Sequence, residues 1–81
     1  MEDVIAHARS YVKAQLDSIL IGTFFGTPNE KFKLAVEEKE NELLSDPGRH
    51  FEGYNDLNEQ QKTFFRKKIG RFVEMYLLAN G

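Results

Sequence analysis

The sequence predicts an all-α fold, a small three-helix bundle that forms a single domain over residues 1–81. In three separate segments, apolar residues recur every three or four positions, which is the spacing of one face of an α-helix. Segments that contain helix-breaking residues separate the three. No segment alternates apolar and polar residues for long, so strands are not expected. We place the helices at about residues 3–21, 28–44 and 58–79.

The first predicted helix has one apolar stripe that faces the core. Charged residues lie on its other side, as expected for a helix with one solvated face. Gly22 ends the helix, because glycine enters the left-handed cap conformation without a steric penalty. The residues of the apolar stripe are Ile5, Ala8, Val12, Leu16 and Ile19.

The second predicted helix has the clearest start in the sequence. Thr27 offers a hydroxyl to a free backbone N–H, Pro28 has no N–H to leave free, and Glu30 reaches back to the cap. Pro47 and Gly48 end the helix, because proline disfavours helical geometry in the residue before it. The inward-facing residues lie at the two ends of this helix and are Phe32, Ala35, Val36, Leu43 and Leu44.

The third predicted helix begins near Asn58, after an irregular loop over residues 49–55. Asn58 and Gln61 have the spacing of a capping box, although Asp56 and Glu59 have the same spacing. The helix ends at the C-terminal Asn-Gly pair, which suits a helix cap. Its inward-facing residues are Phe65, Ile69, Phe72, Val73 and Tyr76.

The composition limits the chemistry and the location of the protein. The chain has no Cys, which excludes thiolate catalysis and Cys-type zinc sites and fits a reducing compartment. It shows no secretory signal and no apolar stretch of the roughly 20 residues that cross a bilayer. We therefore expect a cytoplasmic protein without membrane contact. The net charge of −2 gives no overall attraction to nucleic acid.

The sequence offers no clear catalytic, metal or cofactor site. His7 and His50 are the only imidazoles, and two histidines without a third ligand do not form a metal site. No serine lies in a nucleophile elbow, and no glycine-rich phosphate loop precedes a helix. Arg49, His50 and Tyr54 share the predicted loop, where their polar tips either contact a ligand or, as is usual for lone loop residues, pin the loop or are solvated. We expect a non-enzymatic protein without a cofactor.

The C-terminal half of the third helix suggests an association surface. Glu74 is its only charge after Phe72, and Met75, Leu77 and Leu78 make the segment apolar around most of its circumference. Two neighbouring helices cover one broad face, and an uncovered remainder is typical of an interface. Alternatively, the third helix lies centrally between the other two, and its apolar residues serve only the core.

A second candidate contact lies between the first two helices. Phe24 and Phe25 are flanked by glycines in this connector. They either cap the end of the core or supply an aromatic anchor for a partner. Capping is the simpler interpretation, because a domain of this size has little apolar area to spare.

A basic segment in the third helix is the candidate for nucleic-acid binding. It holds five basic residues and no acidic one, interleaved with aromatic residues. At 100° per residue, however, the charges surround the polar half of the helix, which is typical of a solvated face. The basic residues are Lys62, Arg66, Lys67, Lys68 and Arg71.

An acidic run covers residues 37–42 in the second helix. A helix spreads these carboxylates around its circumference, so the run does not resemble a calcium loop. It is either a solvated face or a partner for the basic segment, within one chain or between two chains.

The leading hypothesis is a small interaction or regulatory module that binds a protein partner or a second copy of itself, most simply as a homodimer. Its predicted contacts are Phe24, Phe25, Met75, Leu77 and Leu78. The alternative is nucleic-acid binding through the basic segment. Excess apolar surface supports the first hypothesis, and clustered cations support the second.

Overall fold

The computed structural model describes residues 2–22 and 29–80, and it confirms an all-α helical bundle. Within these ranges there are three long helices and one of a single turn, and there is no strand. The helices are α1 (Glu2–Gly22), α2 (Asn29–Ser45), α3 (Pro47–His50) and α4 (Glu59–Asn80). The three long helices, α1, α2 and α4, pack against one another in pairs.

Contacts between α1 and α4 show that these two helices run in the same direction. Asp17, late in α1, accepts a hydrogen bond of 2.6 Å from the hydroxyl of Tyr76, late in α4. Near the start of both helices, Ile5 and Phe64 line the same hollow. The helix α2 between them in sequence runs the opposite way, so the bundle is up, down, up.

The buried stripes of the three long helices meet in one core. On α1 and α4 the predicted stripes are largely confirmed, since Ile19 and Phe72 are the only predicted members that are partly rather than fully buried. On α2, Ala35 and Leu44 are also only partly buried. Among the described residues, the buried members of this core are Ile5, Ala8, Val12, Leu16, Phe32, Val36, Leu43, Phe51, Tyr54, Phe65, Ile69, Val73 and Tyr76.

The segment between α2 and α4 differs from the irregular loop that the sequence predicts. It consists of the helical turn α3 and a 3-10 turn at Tyr54–Asp56. Pro47 occupies the first turn of α3, where its missing N–H is not needed. Gly53 takes a positive φ of 85° between the two turns, a conformation that favours glycine. Proline therefore both ends α2 and starts the next helical turn.

This connector contributes two aromatic residues to the core. The rings of Phe51 and Tyr54 pack edge-on against Phe65, with ring centroids 5.2 Å and 5.1 Å away. Phe51 also packs against Tyr11 of α1 at 5.7 Å. The connector thus closes the end of the bundle where α1 and α4 begin.

The start of α4 is the capping box that the sequence predicts. The backbone N–H of Gln61 donates to Asn58 Oδ1 at 2.8 Å, and the backbone N–H of Asn58 donates to Gln61 Oε1 at 3.0 Å. The competing start at Asp56 and Glu59 is not used, because Asp56 belongs to the 3-10 turn. Two free donors at the helix start are satisfied in this way.

Two predictions concern residues outside the described ranges. These are the helix start at Thr27 and Pro28, and the contact role of Phe24 and Phe25. A search of the described helices for a membrane span finds none that combines sufficient length with sufficient apolar character.

Candidate functional site

One side of α4 combines exposed apolar residues with two cations, of which Arg71 is exposed and Lys68 is partly buried. Phe64 is 45% exposed, Met75 60% and Leu78 81%. An α-helix turns 100° per residue, so these three and two cations fall within about 80° of the helix circumference. We call this side the outer face of α4, and its residues are Phe64, Lys68, Arg71, Met75 and Leu78.

The three apolar residues predicted as contacts on α4 differ in exposure. Met75 and Leu78 lie on the outer face and are open to solvent. Leu77 is partly buried and packs against the core. The apolar circumference of α4 is therefore divided, with one part in the core and another part left uncovered.

Two adjoining hollows, of about 350 Å³ and 360 Å³, lie between α1 and α4. Arg9 and Lys68 line both hollows, so the two lie side by side along α4. We call them together the α1/α4 groove. The first hollow is lined by Glu2, Ile5, Ala6, Arg9, Phe64 and Lys68. The second is lined by Arg9, Lys68, Arg71, Phe72 and Met75.

The charge of the groove is predominantly positive. Arg9, Lys68 and Arg71 line it, against one acidic residue, Glu2. None of the three cations forms an ion pair within the part of the chain that the structure describes. The ammonium group of Lys68 lies 5.2 Å from the ring centre of Phe64, a cation–π contact that holds it along the outer face. These charges remain available to an external acid.

The basic segment is not a single surface, because two of its five residues serve the fold. The Arg66 guanidinium donates from Nε to the Tyr54 hydroxyl at 3.2 Å and from Nη1 to the Leu44 carbonyl at 2.9 Å. Lys62 lies over the Tyr54 ring at 5.5 Å and 3.9 Å from Glu59. The remaining three cations of the segment are Lys67, Lys68 and Arg71.

The acidic run of α2 does not pair with the basic segment among the described residues. The salt bridges found there link neighbours within one helix, as Lys39 and Glu42 do at 3.1 Å. Glu40 faces Gly70 of α4, with its Oε2 atom 3.8 Å from where a β-carbon would lie. Burial raises the pKa of Glu40, and the nearby Glu37 raises it further. The proposed pairing within one chain is therefore not formed.

A polar contact also links α1 to α4 at the other end of the bundle. Asp17 accepts hydrogen bonds of 2.6 Å from both Lys13 and Tyr76. The Lys13 bond, followed by the Tyr76 bond, lowers the pKa of the Asp17 carboxyl. Burial and the Asp17 contact raise the pKa of the Tyr76 hydroxyl. This contact fixes the register of the two parallel helices.

A smaller hollow of about 190 Å³ brings together both imidazoles of the chain. His7 and His50 line it together with Tyr11, whose ring centre is 6.5 Å from that of His50. No group of three or more histidine, cysteine, aspartate or glutamate side chains in residues 2–22 and 29–80 is arranged to hold a metal ion. Tyr54, which the sequence places in the same loop as His50, has a buried ring and a hydroxyl hydrogen-bonded to Arg66, so it pins the connector to α4.

Sequence reasoning missed two parts of the groove. Phe64 stands next to the buried Phe65, and only its heptad-like spacing to Lys68, Arg71 and Met75 indicates a second face. Arg9 carries no such signal, because its contribution depends on the packing of α1 against α4.

No family model matches the chain, and neither a curated protein nor a solved structure is significantly similar to it.

Proposed function

We propose that the protein is a small non-enzymatic interaction module that regulates or assembles with a protein partner through the outer face of α4. The observation that carries this proposal is the alignment of Phe64, Met75 and Leu78 on one side of one helix. The other large exposed apolar residues of the described ranges, Tyr11, Ile21 and Leu34, do not share a helix with these three. Scattered exposed apolar residues are ordinary, whereas an aligned set is typical of an interface.

Burial of this face provides enough free energy to matter. Full burial of one large apolar side chain contributes about 1.5–3 kcal/mol. Phe64, Met75 and Leu78 are already partly buried, so covering their exposed parts offsets only part of the cost of association, which is about 4–15 kcal/mol for lost freedom of motion. The cations beside the apolar residues orient the partner and speed its association, but they add little to the affinity. An interface of moderate strength is expected.

Two experiments test the proposal. Light scattering behind a sizing column measures the mass at tens of micromolar, and a dimer mass supports association with a second copy. A photo-crosslinking residue at position 75 or 78 is expected to give a discrete covalent adduct in a lysate of the source cells. The same residue at position 38, which is exposed on α2, serves as the matched control. A monomeric mass together with no adduct from either position on α4 refutes the proposal.

Nucleic-acid binding is the second candidate, and the cations Lys67, Lys68 and Arg71, which form no ion pair with any described residue, favour it. Such binding falls steeply with salt, because each neutralised phosphate releases a counterion. Changing Lys67 and Lys68 to Glu is expected to abolish it. If the protein shifts no duplex and no single strand at low salt, this function is excluded.

A further inference from the structure

We infer that the α1/α4 groove binds one amphipathic helix of another protein, and that this helix presents acidic residues to Arg9, Lys68 and Arg71. The inference rests on the proposed function, because it names the class of partner that the same face recognises. Shape, charge order and the position of the acidic surface of this chain support it in turn.

The shape of the groove fits a helix. Its two hollows follow one another between two parallel helices, and the outer face of α4 continues past them to Leu78. Fourteen residue steps separate Phe64 from Leu78, which corresponds to about 21 Å along a helix at 1.5 Å per residue. A docked helix of about four turns covers this length, at the usual interaxial distance of about 8–10 Å.

The order of charged and apolar residues specifies the partner further. Along the outer face, Phe64 comes first, Lys68 and Arg71 follow, and Met75 and Leu78 come last. Arg9 of α1 adds a third cation next to Lys68. A matching helix therefore has apolar residues towards both ends and carboxylates in the middle of the same face. A neutral or basic helix would leave these cations buried without partners, which is costly.

The same charges argue against a symmetric pairing of two outer faces. In an antiparallel pair, the Arg71 residues of the two copies meet near the centre, and the Lys68 residues lie close by. Like charges buried at the centre of an interface destabilise it. A different, acidic surface therefore fits the groove better than the outer face of a second copy does.

The acidic surface of this chain itself is badly placed for a closed dimer. The exposed acids of the chain include Glu38 and Glu42, which lie on α2. The groove lies between the other two long helices, α1 and α4, so these acids are away from it. A copy that inserts α2 into the groove of a second copy leaves its own groove free for a third. Such head-to-tail contacts form rings or open chains of several copies rather than a symmetric pair. The occupant is consequently a different protein.

A selection from displayed helices tests the inference on the full chain. The library contains randomised helical peptides of about 18 residues, long enough to cover the groove. We expect the enriched peptides to be acidic, with carboxylates flanked by apolar residues on one face. Binding is then measured by fluorescence anisotropy with synthetic peptides. The double variant Lys68→Glu and Arg71→Glu is expected to weaken binding by about tenfold or more.

A matched control separates local charge from net charge. Lys31→Glu and Lys33→Glu change the net charge of the chain equally, but both residues are exposed on α2 and neither lines the groove. This control is expected to keep its affinity within about twofold, since exposed charges distant from the contact are screened by salt. Circular dichroism confirms that both double variants remain helical.

The outcomes distinguish failure of the inference from failure of the proposed function. Enriched peptides that are neutral or basic, and that lose binding on Met75→Asp, overturn the acidic-helix inference and leave the proposed interface standing. A library that yields no binder above an unrelated control protein also overturns the inference, while crosslinks from positions 75 and 78 still test the function. If the protein prefers duplex DNA to every peptide, both the acidic-helix inference and the proposed function are overturned.

Discussion

The guanidinium of Arg66 donates a hydrogen bond of 2.9 Å from Nη1 to the backbone carbonyl of Leu44, in the last turn of α2. Carbonyls in the last turn of a helix have no partner within the helix, so this bond caps α2 from α4. The Nε atom of Arg66 also donates to the Tyr54 hydroxyl at 3.2 Å. One residue of the basic segment therefore joins α2, the connector and α4.

Replacing Arg66 tests this structural role. Arg66→Ala is expected to lower the free energy of unfolding by about 1 kcal/mol, the usual net contribution of such hydrogen bonds. For a domain of this size, that corresponds to a fall in Tm of about 4–8 °C. Urea unfolding followed by circular dichroism measures the change. Lys67→Ala, an exposed neighbour, should shift stability by less than about 0.5 kcal/mol. Equal effects of the two changes would refute the capping role.

Replacing Gly53 with any residue that has a side chain is expected to be destabilising. Its φ of 85° is unfavourable for other residues, and an added β-carbon would lie 2.9 Å from Cγ2 of Val4. Gly53→Ala should therefore destabilise the fold by about 1–2 kcal/mol from the left-handed backbone alone. Gly70→Ala provides the contrast, because Gly70 lies inside α4 and an added β-carbon there would lie 3.8 Å from Oε2 of Glu40, an ordinary contact distance. Gly70→Ala should stabilise the fold by up to about 1 kcal/mol. Thermal melts measure both variants, and changes in Tm of the same sign would contradict this explanation.

Asp17→Asn is expected to reduce stability in a pH-dependent way. Hydrogen bonds from Lys13 and Tyr76 hold the pKa of Asp17 below its ordinary value of 3.8. The carboxylate therefore stabilises the folded state above that pH, and its contribution is lost as the pH falls through the lower folded value. Urea midpoints of the parent and the variant should differ at neutral pH and converge in acid. A constant difference across the range would show that the charge of Asp17 is not responsible.

Glu40→Gln is expected to have the opposite effect. Burial raises the pKa of Glu40 above its ordinary value of 4.5, so the ionised form is unfavourable in the folded state at neutral pH. The protonated form stabilises the fold below 4.5, and that contribution is lost as the pH rises through the folded value. The variant should be more stable than the parent at pH 7, and the gain should shrink on acidification. Glu38→Gln, which removes an exposed charge from the same helix, should change stability by less than about 0.5 kcal/mol.

The sequence predicts the three long helices well because periodicity and caps are local properties. The stripe of Ile5, Val12 and Leu16 indicates the buried face of α1 directly. The capping box of Asn58 and Gln61 likewise depends on residues three positions apart. Short-range patterns of this kind survive packing almost unchanged.

The connector and the groove depend on contacts that are distant in sequence. Phe51 has no periodic neighbours in its segment, and only the position of Phe65 places it in the core. Arg66 and Lys68 look alike in the sequence, yet one caps α2 and the other lines the groove. The direction in which a basic side chain extends, and the acceptor that it meets, follow from the packing of whole helices. Composition alone does not separate these two roles.

The parallel arrangement of α1 and α4 gives the groove a polarity. Both helices begin at the end that holds Ile5 and Phe64, so the partial positive charges of two helix starts lie together there. The C-terminal end of any helix carries a partial negative charge. A docked helix is therefore favoured when its last turn lies beside Ile5 and Phe64 and its first turn lies beside Met75. Recognition in this groove then depends on chain direction as well as on side-chain identity, and a reversed sequence with the same composition is disfavoured.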